Sequence, residues 1–473
     1  MSELHHLSAH EQWDWLQRGD VLPRELAEHY LARIERWNAE LGAFTTVTAD
    51  EARERAAALS GVPRTAALWG LPSGDKDLWR RRGIRTTFGS RLFADFVPDA
   101  SDEIVDVLDA AGVVSLGKTA APEFGMPSYT ESRVDPPTVN PYDIRLGAGG
   151  SSGGAAVAVA AGLLPFAPAS DGGGSIRIPA AACGLVGLKP SRGRVPAASG
   201  VGGVGGLTVA GPIARSVADA GLLLEGMLER RQGAVPQRTA LIAPGDNESF
   251  LGAAVRAEGR FQLGVLTASP WDDAYDIVMS REARAALDEG VAALAALGHG
   301  LEETMLPPSA QYPSAFLSLW QSGAATLPVE GADIELLEPL TRWLVTEGRR
   351  LSARALMTAA DVLSAYERAV IAAFSRFDAV LTPSLALPPR PVGWYDREDP
   401  ERNFAQQVLY TPWTAFVNVS GLPAITLPLS MTEEGLPMGI QLIGRPGGEA
   451  TLLALGAQLE RRAGWQRRHP PQW

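Results

Sequence analysis

The stretch GGSSGGAAVAVAAGLLPFAPASDGGGSIRIPAAACGLVGLKPSRGRVP, from Gly149 to Pro196, decides how this chain is read. It holds two serine–glycine clusters, Gly149–Gly154 (GGSSGG) and Asp171–Ser175 (DGGGS), with Ser151 and Ser175 24 residues apart. Three glycines before Ser175 let the backbone turn several consecutive N–H groups toward one point. An oxyanion hole is built that way, and losing one side-chain donor of such a hole costs about 2.7–4 kcal/mol. One glycine-rich turn beside a helix is ordinary. Two in one segment favour an acyl-transfer site.

A serine nucleophile needs a base. Gly149-Gly-Ser151-Ser-Gly153 matches the nucleophile-elbow pattern of histidine-dependent hydrolases. The histidines, however, are His5, His6, His10, His29, His299 and His469. Four precede the candidate core, one lies in the arginine-rich tail, and His299 occupies a helix end, so a Ser-His-Asp triad is not expected. A lysine can replace histidine where burial lowers its pKa from about 10.4, because desolvation disfavours the ammonium. The chain has only three, Lys76, Lys118 and Lys189, the other 39 of its 42 cations being arginine. Lys76 lies among apolar Leu71, Leu78 and Trp79. Two further motif matches are set aside. Gly112–Thr119 fits the P-loop pattern, but Val-Val-Ser-Leu at its centre reads as a strand. Gly200–Gly205 fits GxGxxG without a preceding strand and reads as a loop, as does Ser199–Gly206 around it.

The chain resembles the amidase signature family. The Gly149–Pro196 run carries the resemblance, together with Lys76-Asp77, Thr86–Ser90, Gly117-Lys118-Thr119, Pro122-Glu123-Phe124 and Asn140-Pro141. Near the end stand Asn418–Ala424 and Gly435-Leu-Pro-Met-Gly-Ile-Gln-Leu. The likeness runs from about residue 5 to 465. It implies an α/β fold: one large domain with a central mixed β-sheet covered by helices. It also implies a Ser-Ser-Lys triad. Ser175 matches the nucleophile, and Ser151 the bridging serine that family members hold after a non-proline cis peptide. Lys76 matches the general base. Gly172, Gly173, Gly174 and Ser175 match the oxyanion loop, and Ser152, Asp171 and Arg177 match supporting positions. Neither metal nor cofactor is implied. Four residues depart from the family's habit: Gly172 stands where Thr or a larger residue is usual, Asp75 where an apolar one is, Ala120 for Asn and Ala148 for Pro. Strand alternation turns Asp75 away from Lys76. Cys183, in AAACGLVG, reads as a packing residue.

Composition sets the frame. With 46% apolar and 20% charged residues the chain is of ordinary globular make-up, which excludes disorder. A net charge of −12 excludes nucleic acid or an anionic membrane as the main partner. One cysteine excludes an internal disulfide framework and suits a reducing compartment. The start, MSELHHLSAHEQWDW, has no basic or apolar signal region, so a cytoplasmic protein is expected. No linker divides the chain. The expectation is one domain over 1–473: N-terminal helices at 1–65, the signature core at 66–215, a variable pocket region at 216–415 and a return to the core at 416–473. Apolar periodicity predicts helices at Arg24–Leu41, Ser216–Met227, Arg281–Leu297 and Ala353–Phe374. Strands are expected at Val113–Leu116, Leu163–Ala167, Gly184–Leu188, Phe261–Thr267, Leu301–Met305, Ala379–Leu387 and Ala424–Leu429.

The variable region and its surroundings contain Trp320, Trp343, Trp394, Tyr395, Tyr410 and Trp413. With Gly125, Met126 and Tyr129, they suggest a hydrophobic, partly aromatic substrate pocket. The leading reading is a free-standing amidase, monomeric or homodimeric, acting on a small-molecule amide or carbamate, with esterase or urethanase side activity. The alternatives are the glutaminase-type subunit of a tRNA-dependent amidotransferase and a catalytically silent binding protein of the same fold.

Overall fold

The computed structural model describes residues 3–195, 206–228 and 249–473. The glycine run read as a loop at 199–205 lies outside them. An eight-stranded sheet carries the fold. Its strands lie side by side in the order Gly300–Glu303, Gln262–Val265, Ala379–Pro383, Pro437–Gly444, Ala424–Met431, Val186–Lys189, Val209–Ala214, Phe166–Asp171. The first three run parallel and every later pairing is antiparallel, so the sheet is mixed, as expected.

Because successive side chains leave opposite faces of a strand, the pleat sorts residues into two cores. Ala379, Leu381, Ile425, Leu427, Ile440 and Leu442 join one hydrophobic cluster, whereas Val380, Ala424 and Ile443 join another. The second face also carries Thr382 and Gln441, both fully buried. Two such polar residues inside need partners, and they find them at the site described below.

A smaller sheet pairs Val114–Thr119 with Phe44–Val47 and, in parallel, with Pro72–Lys76. Between the two sheets lies the helix Gly153–Ala160, buried at every position. Its sequence, GGAAVAVA, has no polar face to offer solvent. Gly154 allows the close approach: a Cβ there would sit 2.2 Å from Ala120 N and 2.4 Å from Ala43 O. This wedge, with the direct packing of Pro72–Lys76 on Phe166–Asp171, brings Lys76 to the end of the signature strand.

The helices at Pro23–Leu41, Val217–Met227, Arg281–Ala296 and Ala353–Phe374 agree with their sequence periodicity. Expected strands occur with shifted ends, Leu163–Ala167 becoming Phe166–Asp171. The P-loop match is a strand, as its apolar centre requires: Gly117 approaches Thr46 so closely that a Cβ would lie 2.1 Å from its carbonyl oxygen. Lys118 is buried, donating to the Trp79 carbonyl and to Thr86 Oγ1 at 3.2 Å. No helix among the described residues is long and apolar enough to cross a membrane.

Candidate active site

Lys76 ends its strand in register with Thr119 and is wholly buried. Its Nζ donates to Ser151 Oγ at 3.0 Å, to Ser170 Oγ at 3.1 Å and to the Ser170 carbonyl at 3.2 Å. No carboxylate among the described residues touches it. Burial pushes the ammonium down to about 7 against the opposing pull of Asp171. Asp75 points the other way, as strand alternation demands, and is held by Arg81 Nε at 2.5 Å and Ser115 Oγ at 2.9 Å. Ser151 follows a cis peptide bond from Gly150 and precedes the wedged helix. Ser152 Oγ donates to the Ser170 carbonyl at 3.3 Å, tying the serine turn to the same strand end.

One residue beyond Ser170, a buried charge clamp begins. Arg177 Nε and Nη2 donate to the Asp171 carboxylate at 2.9 Å each, Nη2 donates also to Asn418 Oδ1 at 2.7 Å, and Nη1 donates to Gln441 Oε1 at 2.7 Å. Asn418 Nδ2 donates back to the Asp171 carbonyl and carboxylate at 2.8 Å each, and Gln441 Nε2 to Thr382 Oγ1 at 2.9 Å. Burial alone would push the Asp171 carboxyl up, but the Arg177 guanidinium and these donors hold it below the usual carboxylate range. A buried carboxylate gathers every donor in reach, which corrects one expectation. The Gly174 N–H, expected in the oxyanion set, donates to Asp171 Oδ1 at 2.7 Å, and Ile176 N–H to Oδ2 at 3.2 Å. The N–H groups of Gly172, Gly173 and Ser175 have no partner among the described residues.

Ser175 and Gly173 open onto a narrow cleft. Its walls include Met126, Ile178, Trp271, Phe316, Trp320, Phe404, Val408 and Ala415, with Ser128, Gln407 and Thr411 as the polar side chains beside Ser175. No charged side chain among the described residues lines it. The Ser175 hydroxyl has no hydrogen-bond partner among the described residues.

The Amidase family model matches residues 25–453. This chain belongs to the amidase signature family. It is therefore an amide-hydrolysing enzyme. The putative amidase AmiB2 of Mycobacterium tuberculosis is 37% identical over 467 residues, covering 96% of both chains. One component of the glutamyl-tRNA(Gln) amidotransferase of Moorella thermoacetica is 34% identical over 500 residues, covering 99% of both. Among solved structures, 6-aminohexanoate cyclic dimer hydrolase with its substrate is similar at a TM-score of 0.88 and 29% identity, over 99% of each chain. A bacterial aryl acylamidase of the same family is similar at 0.83 and 26%, over 98% of each.

Within this amidase the pocket expectations divide. Met126 and Trp320 line the cleft, and Gly125 adjoins the site, since a Cβ on it would lie 3.2 Å from Ser151 Oγ. Tyr129 does not line it. Its ring stacks 4.1 Å from Tyr395 and its hydroxyl accepts from Asn403 Nδ2 at 2.7 Å, while its backbone supports Gly150 from behind. Tyr395 and Tyr410 belong to that same separate cluster, against which Trp394 packs. Trp413 is a buried strut whose indole donates to the Thr267 carbonyl at 3.1 Å. Trp343 packs beside Phe404, behind the wall. His299 is engaged by Phe261 N–H and Gln458, away from the serines. Cys183 is buried, its Sγ 3.6 Å from the Ala148 carbonyl, and burial pushes its thiol up, as a packing role requires.

Ser170, Trp271, Phe316 and Phe404 carry no assignment from the sequence. Ser170 could have been suspected from its place beside Asp171. The three aromatics carry no local signal, for core and cleft aromatics look alike in sequence. Asn418 and Gln441 stood in the family-like blocks without an assigned task, and the Arg177 contacts supply one.

Proposed function

We propose that this amidase hydrolyses an uncharged, largely apolar amide through an acyl-enzyme on Ser175, with Ser151 and Lys76 as the proton relay. The observation that carries the reading is Lys76 Nζ, 3.0 Å from Ser151 Oγ in surroundings that bring its pKa to about 7. Neutral Lys76 takes the Ser151 proton, and Ser151 takes the Ser175 proton as Oγ attacks the carbonyl. The oxyanion rests on the N–H groups of Gly172, Gly173 and Ser175. Collapse breaks the C–N bond, Ser151 protonates the departing amine, and water releases the acid by the same relay. Asp171, Arg177 and Asn418 hold the glycine loop in place.

The wall chemistry supports aryl or alkyl amides, anilides or carbamates, with ester cleavage as a side activity. Glutamine, the substrate of the competing amidotransferase reading, carries an ammonium and a carboxylate. Burying these in a cleft lined by no charged side chain leaves both unpaired, at a cost of several kcal/mol. We read residues 1–473 as a single catalytic unit working in the cytoplasm on small molecules, as a monomer or homodimer, without metal or cofactor. The test is an assay on matched chromogenic anilide, carbamate and ester substrates beside Ser175→Ala. Loss of turnover in Ser175→Ala by at least about a thousandfold is expected. Full activity in that variant contradicts the mechanism, and hydrolysis of glutamine alone restores the amidotransferase reading.

A further inference from the structure

The serine relay uses no histidine, yet His5, His6, His29 and His469 gather in one place. The turn Leu4–His6 is a 3-10 helix, closed by the His6 N–H on the Glu3 carbonyl at 3.0 Å. Positions three apart eclipse in such a turn, so Glu3 and His6 share one side of it. The His5 ring stands 4.5 Å from that of His6. One ligand atom from each of Glu3, His5 and His6 lies within 4.8 Å of the other two, with His5 buried and its two companions exposed. The two nitrogens of His5 have different surroundings. Nδ1 is 3.1 Å from His29 Nε2. Nε2 faces Glu3 Oε2 at 3.4 Å, and no hydrogen bond among the described residues joins that pair. A charge-assisted N–H···O bond would be shorter, at about 2.7–2.9 Å. The gap instead has the width of a shared cation, because ligands at about 2.1 Å around a tetrahedral zinc ion stand about 3.4 Å apart. The two arginines whose charges reach His5 do not fill it. Arg33 donates to the Gly162 and Ala161 carbonyls at 2.7 and 3.0 Å, and Arg215 to the Leu7 carbonyl at 2.6 Å.

We infer that Glu3, His5 and His6 form a structural site for a divalent cation of the zinc type, with water in the fourth position. Two imidazoles and one carboxylate suit zinc, whereas magnesium and calcium take oxygen ligands. A metal-bound imidazole donates its other N–H to a second acceptor, and His29 Nε2 is placed to accept from His5 Nδ1. The ion enters no step of amide hydrolysis. Its task is to fasten the turn Leu4–His6, which already reaches the helix Pro23–Leu41 through His29. That turn also packs near Gly162, where a Cβ would lie 3.2 Å from His5 and 3.0 Å from Trp473. Gly162 follows the buried helix Gly153–Ala160, and Ser151 and Ser152 precede the other end of that helix. The cation site thus braces the wedge at the end away from the serines.

The test is equilibrium dialysis of the full chain, stripped of metal by a chelator, against micromolar Zn²⁺ and, separately, Mg²⁺. It is run at about pH 7.5, where an exposed imidazole is mostly neutral. The wild type is expected to retain one zinc ion per chain and no magnesium. Glu3→Gln and His6→Ala alter exposed side chains and so spare the fold, and each should weaken zinc binding by at least about tenfold. His10→Ala, outside the cluster, should bind zinc as the wild type does. No zinc retained by the wild type, equal retention of magnesium, or zinc affinity unchanged in Glu3→Gln or in His6→Ala overturns the site.

Discussion

Lys76 and Lys189 are both wholly buried, and burial pushes each ammonium down to about 7. They differ in what the nitrogen touches. Lys76 Nζ meets the hydroxyls of Ser151 and Ser170, whereas Lys189 Nζ donates to the Pro190 carbonyl at 2.9 Å, with the nearby Arg177 charge lowering it further. A lysine that readily loses its proton becomes a base only where a hydroxyl can deliver one. Lys118 makes the third case. It is buried beside the Asp77 carboxylate at 3.9 Å, an ion-pair partner that Lys76 lacks. All three lysines are inside, so the basic residues on the surface are arginines. Arginine does not deprotonate near neutral pH, so it could not take the role proposed for Lys76. The contacts of Lys118 and Lys189 show no similar need.

The comparison breaks if the two lysines are interchangeable in turnover. Lys76→Met should lower kcat/KM by at least about a thousandfold, and Lys189→Met by less than about tenfold, in steady-state assays on a neutral anilide. Next in size is the clamp behind both lysines. Arg177→Met leaves the Asp171 carboxylate buried without its cation and should cost about 3–5 kcal/mol in urea unfolding, with loss of activity as the glycine loop loosens. A smaller effect appears in the pH dependence of stability. The Lys76 pKa falls from an ordinary 10.5 to about 7 on folding, so the unfolded chain binds the extra proton between those values. The penalty is absent above the ordinary value, grows as pH falls toward 7 and is complete below it. Lys76→Met removes it, and should be more stable than wild type by about 1–4 kcal/mol at pH 6, with the difference shrinking toward pH 10.

Much of the candidate site was legible because Ser151, Ser152, Asp171, Ser175 and Arg177 sit in one stretch, with Lys76 outside it. The serine–glycine clusters, the shortage of usable histidines and the family-like blocks pointed to Lys76, Ser151 and Ser175 without coordinates. Periodicity likewise gave the long helix Ala353–Phe374 to the residue. Two strands of the eight-stranded sheet escaped it. Val209–Ala214 contains Gly211 and Pro212, and Pro437–Gly444 opens on proline and contains Gly439, residues that argue against a strand by composition. Close packing accounts for two of the glycines: a Cβ on Gly211 would lie 2.4 Å from the Leu188 carbonyl oxygen, and one on Gly439 2.2 Å from that of Leu427. The cleft wall was legible only in part, since Trp271, Phe316 and Phe404 come from separate segments that only the fold brings together. Gly174 was misjudged for a related reason: its N–H is claimed by Asp171, whose demand for donors shows only once Asp171 is seen to be buried.

The acid limb of kcat/KM against pH, measured on a neutral anilide in wild type and in Lys189→Met, tests the central claim most directly. If Lys76 is the base, activity rises with pH through a single ionisation at about 7, and Lys189→Met leaves that limb where it was. A wild-type profile flat through neutrality, or a limb that moves or vanishes in Lys189→Met, would contradict it.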